Sequence, residues 1–355
     1  MLKDLRDDIE RETALPALLG ERCVHALSAT ASCNACVDIC PEGAWLLDDE
    51  ALGLNTERCD GCGLCAAACP ERAIVSDHQP AVWIGGEEVS AFAACERTAL
   101  PNGDGVIPCL HAFSLTDLLR LYRQGVRRIT VAHGPCDTCS RGHAPRLNDL
   151  LCNLNLTLAS HDLEAMAIDR ATADDWQTAI GQARDKATGP KSGRRGFLRW
   201  AAGSAVDDGF RLTKLLDDEP EAFAAAGALL PTRCHDGVLP FVPVIDADKC
   251  HGCDACARLC PHSSIQLVQN DEGDRYDIEA AQCSGCRLCI GVCDAGAVTV
   301  QRWRDRASAS IWLESARCRH CGAPFHVPTG MMPEDRHCRI CRQIKHHRNL
   351  YQVLE

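Results

Sequence analysis

Aromatic side chains and long apolar runs are both scarce in this sequence. Trp, Tyr and Phe make up 5% of the 355 residues, and the longest apolar run lies in the stretch EAFAAAGALLP. That run is about half the length needed to cross a bilayer. Residues 1–20 mix both charge signs and lack the apolar core of a secretion signal. These absences predict a cytoplasmic chain without a membrane span. They also indicate that the fold does not depend on a large aromatic core.

Positive charge and phosphate-binding loops are also in short supply. The formal net charge is −12, which disfavours nucleic acid as a partner. The stretch GCGLCA (61–66) has the spacing of a dinucleotide fingerprint, but it lies inside a cysteine motif and not at a strand-to-helix turn. No nucleophile and base stand in a catalytic pattern. We therefore expect neither NAD nor flavin on this chain, and no substrate site of its own.

Cysteine, in contrast, is abundant, with 26 residues in closely spaced groups. In a long chain without a secretion signal, such groups are typical of metal ligands and not of disulfides. The groups predict an α+β protein in five parts: 20–77 with eight cysteines, 80–170 with five, a linker 171–240 with one, 244–302 with eight and 316–345 with four.

Three groups carry the full spacing C-x2-C-x2-C-x3-C of an iron–sulfur cluster motif. They are Cys59, Cys62, Cys65 and Cys69; Cys250, Cys253, Cys256 and Cys260; and Cys283, Cys286, Cys289 and Cys293. A fourth run, ASCNACVDICP (31–41), holds Cys33, Cys36 and Cys40, with Thr30 where the first cysteine would stand. Zinc sites or buried thiols are the alternatives, and three complete motifs argue against both.

These runs resemble bacterial-type ferredoxins with two [4Fe–4S] clusters, once over residues 23–75 and again over 250–300. The resemblance implies four clusters, each using three cysteines of one motif and the last cysteine of its partner motif. In the second unit the implied sets are Cys250, Cys253, Cys256 and Cys293, and Cys283, Cys286, Cys289 and Cys260. Asp294 stands where the family has proline, and a carboxylate there should make the cluster bound by Cys293 harder to reduce.

In the first unit the resemblance implies one complete set and one incomplete set. The complete set is Cys40, Cys59, Cys62 and Cys65, whereas Cys33, Cys36 and Cys69 lack a fourth ligand. Cys23 is the free cysteine nearby, so we predict that it completes the site. The alternative is a three-iron cluster, with Cys23 an ordinary buried thiol.

The middle block alternates strand patterns with an amphipathic helix at 114–125. Its candidate ligands fall at strand ends or in the turn that follows a strand: Cys95, Cys109, Cys136 and Cys139. The layout resembles the delta subunit of methyl-viologen-reducing hydrogenase, which implies a [2Fe–2S] cluster on these four cysteines. A thioredoxin-like dithiol at Cys136 and Cys139, or a zinc site, is the alternative. Cys152 and Cys234 have no spacing partner and are expected to be buried thiols.

Two features remain outside the cluster motifs. The stretch GRRGFLRWAAG (193–203) resembles a twin-arginine export signal, but its internal position favours a basic amphipathic arm. Near the carboxyl end, two CxxC pairs have the spacing of a zinc ribbon, with rubredoxin-type iron as the alternative: Cys318, Cys321, Cys338 and Cys341.

Together these patterns predict an electron-transfer subunit that works with a catalytic redox partner. The resemblances imply a complex with a hydrogenase, a formate dehydrogenase or an enzyme like heterodisulfide reductase. Two alternatives remain open. One is an assembly or redox-sensing regulatory protein with a zinc ribbon, and the other is a dithiol oxidoreductase that uses Cys136 and Cys139.

Overall fold

A computed structural model describes eight stretches of the chain: residues 15–48, 52–76, 79–85, 88–141, 146–188, 223–231, 237–305 and 310–343. Cys234 and the basic arm at 193–203 lie outside the described residues. Within these stretches, none of the helices has both the length and the apolar character needed to cross a membrane.

The first cysteine-rich unit is built from two short antiparallel strand pairs. Its strands are β1 (Ala17–Leu18), β2 (Trp45–Leu47), β3 (Leu52–Leu54) and β4 (Ile74–Val75), with β1 paired to β4 and β2 to β3. Its helices are α1 (Val24–Leu27), α2 (Ala35–Ile39) and α3 (Leu64–Ala68). The core is small and mixes Trp45 and Ile74 with the buried thiols Cys36 and Cys65.

The middle unit is a mixed sheet flanked by helices. Its strands are β5 (Ala81–Gly85), β6 (Glu88–Cys95), β7 (Val106–Ile107), β8 (Arg128–Ala132) and β9 (Ala167–Arg170). Strand β5 is antiparallel to β6, whereas β6 runs parallel to β7 and β8, and β8 parallel to β9. The helices are α4 (Leu115–Arg123), α5 (Arg146–Ser160) and α6 (Ala173–Thr188). Reciprocal hydrogen bonds between Ser114 and Asp117 cap the start of α4.

Helix α6 lies in the segment that the sequence analysis assigned to the linker. It packs on the middle sheet through Trp176, which is 3% exposed and meets Phe92 edge to face with ring centroids 6.4 Å apart. The indole N–H of Trp176 donates to the carbonyl of Thr130 in β8. The described structure of the middle unit therefore continues to residue 188.

The second cysteine-rich unit repeats the first with longer strands. After the short helix α7 (Ala226–Leu229), it contains β10 (Val238–Ile245), α8 (Ala255–Arg258), β11 (Ile265–Asn270), β12 (Gly273–Ile278), α9 (Leu288–Gly291) and β13 (Val298–Asp305). Strand β10 pairs with β13 and β11 with β12, both antiparallel. The carboxyl-terminal part adds β14 (Ile311–Arg317), β15 (Pro324–Pro328) and α10 (Arg339–Gln343), and β14 pairs with β12.

Candidate metal centres

The incomplete motif and Cys23 meet at one cavity in the first unit. Its lining includes four cysteines: Cys23, Cys33, Cys36 and Cys69. Cys23 lies just before α1, so the segment that separates it from Cys33 turns back to the same site. The Nε2 atom of His25 is 2.8 Å from the carbonyl oxygen of Cys33 and holds this turn against the motif. The geometry therefore provides four thiols where the motif alone provides three.

The other predicted set in this unit is Cys40, Cys59, Cys62 and Cys65. Cys62 and Cys65 are 6% exposed and belong to the loop and helix α3. Burial is the main cause that raises the pKa of Cys65 to about 11, and the nearby charges of Cys59 and Cys40 contribute to this increase. Thiols of both motifs therefore lie near enough to Cys65 to act on its charge.

In the second unit, each of the two predicted ligand sets lines a cavity of its own. One is lined by Cys250, Cys253, Cys256 and Cys293, and the other by Cys260, Cys283, Cys286 and Cys289. Each set joins three cysteines of one motif with the last cysteine of the other.

The last cysteine of every motif has the same backbone environment. Its Sγ atom accepts a hydrogen bond from the backbone N–H four residues later, at 3.2–3.3 Å; the pairs are Cys40 with Ala44, Cys69 with Ala73, Cys260 with Ser264 and Cys293 with Ala297. Hydrogen bonds to sulfur stabilise negative charge on a cluster and so help to set its potential. The incomplete run at 31–41 shares this feature with the three complete motifs.

Burial makes the bare thiolates at these sites unfavourable. It raises the pKa of Cys36 to about 12, assisted by the charges of Cys69 and Cys33, and that of Cys256 to about 12. Cys62 and Cys286 also reach a pKa of about 12, mainly through burial. Converging thiols with raised pKa values suit a group whose positive metal atoms compensate the thiolate charge, as a [4Fe–4S] cluster does.

The middle unit gathers its four cysteines at one edge of the sheet. Cys95 ends β6, Cys109 follows β7, and Cys136 and Cys139 border a short 3₁₀ helix after β8. Because β6, β7 and β8 are parallel, their carboxyl ends meet there. Burial is the main cause that raises the pKa of Cys109 to about 11, and the charges of Cys95 and Cys139 contribute to this increase. Burial also raises the pKa of Cys136, with Cys95 the next cause.

A buried arginine joins this edge to the first unit. Arg141 is 5% exposed, its Nε atom lies 2.5 Å from Asp60, and its Nη1 atom lies 2.7 Å from Glu96. The same Nη1 donates to the carbonyl of Pro108, just before Cys109. Arg141 holds the pKa of Asp60 below its usual value although burial alone would raise it. Beside this pair, Cys62, Leu64 and Cys109 pack in one buried cluster.

A buried carboxylate joins the two cysteine-rich units. Glu71 is 4% exposed and lines the cavity of Cys23 and its partners. Its carboxylate lies 2.6 Å from Nε2 of His262 and accepts a hydrogen bond of 2.5 Å from the Ser284 hydroxyl. His262 and Ser284 line the cavity of Cys283 and its partners. Glu71 therefore connects one predicted site of each unit.

The carboxyl-terminal cysteines form a tighter group than those of the other sites. Their four sulfur atoms all lie within 4.8 Å of one another; the residues are Cys318, Cys321, Cys338 and Cys341. Within the described part of the chain, they are the one group of three or more Cys, His, Asp or Glu side chains that is so close. The sulfur atoms of Cys321 and Cys338 are 3.8 Å apart. Four thiolates at about 2.3 Å from one tetrahedral ion would be about 3.8 Å apart, so this group fits a single metal ion.

One expectation about an individual residue is wrong, and the structure adds an ion pair that bears on a second. Cys152 is exposed on α5 and is not a buried thiol, because it falls on the helix face directed away from the sheet core. Asp294 forms an ion pair of 3.3 Å with Arg339 of α10, so its charge beside Cys293 is partly compensated. The expected effect of Asp294 on the neighbouring cluster is therefore weaker than the sequence alone indicates.

Arg141, Glu71 and His262 were not predicted as functional residues from the sequence. Glu71 and His262 are 191 positions apart, and Arg141 and Asp60 are 81 apart, so no local spacing links them. One signal was available. Glu71 and His262 each stand two residues after the last cysteine of a motif, in the turn that follows it.

Comparison with known proteins identifies the two cysteine-rich units. Residues 30–86 and 243–300 each match the family described as the 4Fe–4S dicluster domain. Two segments of the chain are 4Fe–4S dicluster domains. This confirms the two-ferredoxin part of the predicted fold and indicates [4Fe–4S] clusters in these two segments.

Two curated relatives match parts of the chain. An uncharacterised ferredoxin of Methanocaldococcus jannaschii is 35% identical over 80 residues, which are 22% of this chain and 45% of that protein. Hydrogenase-4 component A of Escherichia coli is 34% identical over 112 residues, which are 31% of this chain and 48% of that protein. The chain thus spans just under half the length of each of these relatives.

Proposed function

We propose that this chain is an iron–sulfur electron-transfer subunit of a larger oxidoreductase complex. The observation that carries the proposal is the presence of two dicluster domains whose cysteines converge in crossed sets. The similarity to hydrogenase-4 component A supports a place in such a complex. The proposed role is to pass electrons between a catalytic partner and a second redox protein.

The predicted ligand sets remain part of this proposal. Four [4Fe–4S] clusters bind to the four crossed sets, with Cys23 as the fourth ligand beside Cys33, Cys36 and Cys69. A [2Fe–2S] cluster binds to Cys95 and its three partners. The position of these four cysteines at one edge of the sheet, where three parallel strands end, supports a shared site there. The carboxyl-terminal group binds one structural zinc.

The contacts between the units support an order for the five redox centres. The middle centre is next to the cluster of Cys62, since Cys109 and Cys62 pack together beside Arg141. Each dicluster domain holds its two clusters side by side. Glu71 connects the Cys23 cluster with the Cys283 cluster. The Cys250 cluster is then the far end of a single unbranched line.

The exposure of one cysteine suits the far end of this line. Cys253 is exposed, whereas the cysteines of the four other redox sets are half-buried or buried. Electron donors and acceptors need access to a terminal centre and not to an internal one. A catalytic partner is therefore expected to dock near Cys253.

Metal content and partner association test the proposal. Protein purified anaerobically should hold about 18 irons and one zinc per chain, from four cubanes, one binuclear cluster and one zinc site. About eight irons would leave one dicluster domain empty and would contradict the proposal. Purification from the native source without a tag should recover a flavin, molybdenum or nickel subunit. Recovery of the chain by itself would instead support the regulatory alternative.

A further inference from the structure

An open cleft of about 500 Å³ lies where the two dicluster domains and the middle unit meet. Helices α4 and α5 form one wall, and α9 and β13 form another. Cys33 and Cys69 from one predicted cluster set, and Cys286 from another, also line the cleft. Its volume is in the range of pockets that bind small molecules and cofactors, which is about 300–1,000 Å³.

Positive charge dominates the lining of this cleft, although the whole chain carries −12. The described lining residues include four arginines and one carboxylate, Asp38; the arginines are Arg72, Arg146, Arg287 and Arg302. Arg287 and Arg302 are exposed at the rim, and Arg146 is half-buried at the start of α5. A concentration of one charge sign in a cleft attracts ligands of the opposite sign.

One of these guanidinium groups has an unsatisfied donor. The Nη1 atom of Arg146 is buried and makes no hydrogen bond to any described residue. Burial and the charge of Arg302 lower the pKa of Arg146, and burial and the charge of Arg287 lower that of Arg302. The positive charges of these arginines therefore act on one another, and Asp38 is the one carboxylate among the described residues that line the cleft. A buried charged donor without an acceptor is unfavourable, and an anion in the cleft would satisfy it.

Aromatic rings stand beside the charges. The guanidinium carbon of Arg302 lies 5.6 Å from the centroid of the Phe241 ring. Phe223 also lines the cleft and stacks on His262 with centroids 3.9 Å apart. Guanidinium groups bind phosphate through paired hydrogen bonds, and phenyl faces pack against planar rings. The lining thus combines groups for both halves of a nucleotide-like molecule.

We propose that this cleft binds a phosphate-bearing ligand with a planar ring, of the nucleotide or flavin mononucleotide class. Arg146 and Arg302 bind the phosphate, and Phe241 contacts the ring. We expected neither NAD nor flavin on this chain because the sequence lacks a glycine-rich phosphate loop. The proposed site binds phosphate through arginine side chains and needs no such loop. The inference goes beyond the electron-transfer role, because binding does not depend on the order or occupancy of the redox line.

Titration calorimetry on the anaerobic, full-length holoprotein tests this site with FMN, AMP and inorganic phosphate as separate probes. FMN or AMP should bind at least about ten-fold more tightly than phosphate, since the ring adds contacts. Arg146→Gln and Arg302→Gln should each weaken that binding by about ten-fold or more. Arg123→Gln is the matched control, because Arg123 is exposed on α4 and does not line the cleft. Unchanged iron content in each variant verifies that the protein is intact.

The three probes also identify the source of the ligand. Tighter binding of FMN than of AMP indicates a flavin, and binding of AMP at least as tight as that of FMN indicates an adenine nucleotide. Either result supports the site. The proposal is wrong if neither binds, if phosphate binds as tightly as both, or if the two arginine variants bind as the wild type does.

Discussion

The two dicluster domains have similar cysteine patterns, but the strand pairs that support these patterns differ greatly in length. In the first, β1 and β4 pair over two residues each, whereas β10 and β13 in the second have seven paired positions. The second also encloses the fully buried Tyr276 in an apolar core with Ile265 and Val298. The difference teaches that the first domain depends more on its metal and on its neighbours than the second does.

Iron removal should produce the largest difference in local stability between the two dicluster domains. After anaerobic chelation, backbone amides of residues 15–76 should exchange with deuterium nearly as fast as in an unfolded chain. Those of β10 and β13 should keep part of their protection, because their ladder does not need the metal. The expected difference in local stability is on the order of several kcal/mol, since metal binding contributes to folding.

The parallel strands of the middle unit are an internal control for this experiment. Their core of Ile129, Val131 and Leu118 should keep them protected in both states. Equal loss of protection in the two dicluster domains would contradict the comparison.

The contact at Arg141 should have the next largest effect, at the boundary between the first domain and the middle unit. Arg141→Met leaves Asp60 and Glu96 without their buried counter-charge. We expect the free energy of unfolding to fall by about 2–3 kcal/mol. This loss is smaller than for a fully buried pair because both carboxylates are partly exposed. The measurement is urea-dependent proteolysis of the holoprotein, which reports where cleavage begins.

Arg128→Met is the matched change at an exposed ion pair. Arg128 and Asp169 are 63% and 45% exposed, so their loss should change stability by less than about 1 kcal/mol. If the two variants are equally stable, Arg141 does not hold the units together.

Cys23 tests whether the first domain completes its cluster with a distant residue. Cys23→Ser should reduce the iron content by about one per chain and produce a [3Fe–4S] signal in the oxidised protein, because a hydroxyl is a poorer iron ligand than a thiolate. Electron paramagnetic resonance and iron analysis measure both effects. Cys152→Ser, at an exposed position, should change neither. A wild type that already shows the three-iron signal, unaltered by Cys23→Ser, would contradict this ligand assignment.

The smallest effect is expected at Asp294 in the second domain. Asp294→Asn should raise the potential of the neighbouring cluster slightly, because it removes a negative charge that opposes reduction. Arg339→Gln should lower that potential, because it removes the positive charge that compensates Asp294. Potentiometric titration followed by electron paramagnetic resonance checks both signs. A shift in the same direction for both variants would show that the pair does not act through charge.

The sequence predicted features that depend on local spacing. Two-residue gaps between cysteines are a geometric requirement of the cluster, so the motifs identified both dicluster domains without further information. The helix at α4 was also predictable, because Ser114 at its start and Gly125 after its end act within a few residues. Gly125 has a φ of +94°, which few other residues tolerate.

Contacts between distant segments were not predictable in this way. The segment of helix α6 was assigned to a linker because residues 171–240 hold one cysteine and are rich in Asp, Arg, Gly and Ala. The position of α6 on the middle sheet depends on Trp176, whose indole N–H reaches β8. Glu71, His262 and Ser284 come together only when the two domains pack. The sequence marks Glu71 and His262 by their place after the last cysteine of a motif, but it does not show that they meet, so the proposed order of the redox centres rests on the structure.

The contact between Asp254 and His326 has a consequence for how the protein is made. His326 in β15 lies 2.7 Å from the carboxylate of Asp254, and the backbone of Gly252 is close against the carbonyl of His326. These partners are 72 positions apart, so a ribosome produces the cysteine loop well before the hairpin that covers it. In the folded chain Cys256 is buried, whereas Cys253 stays exposed. We therefore expect an iron carrier to reach Cys256 most easily during that interval, before the hairpin folds.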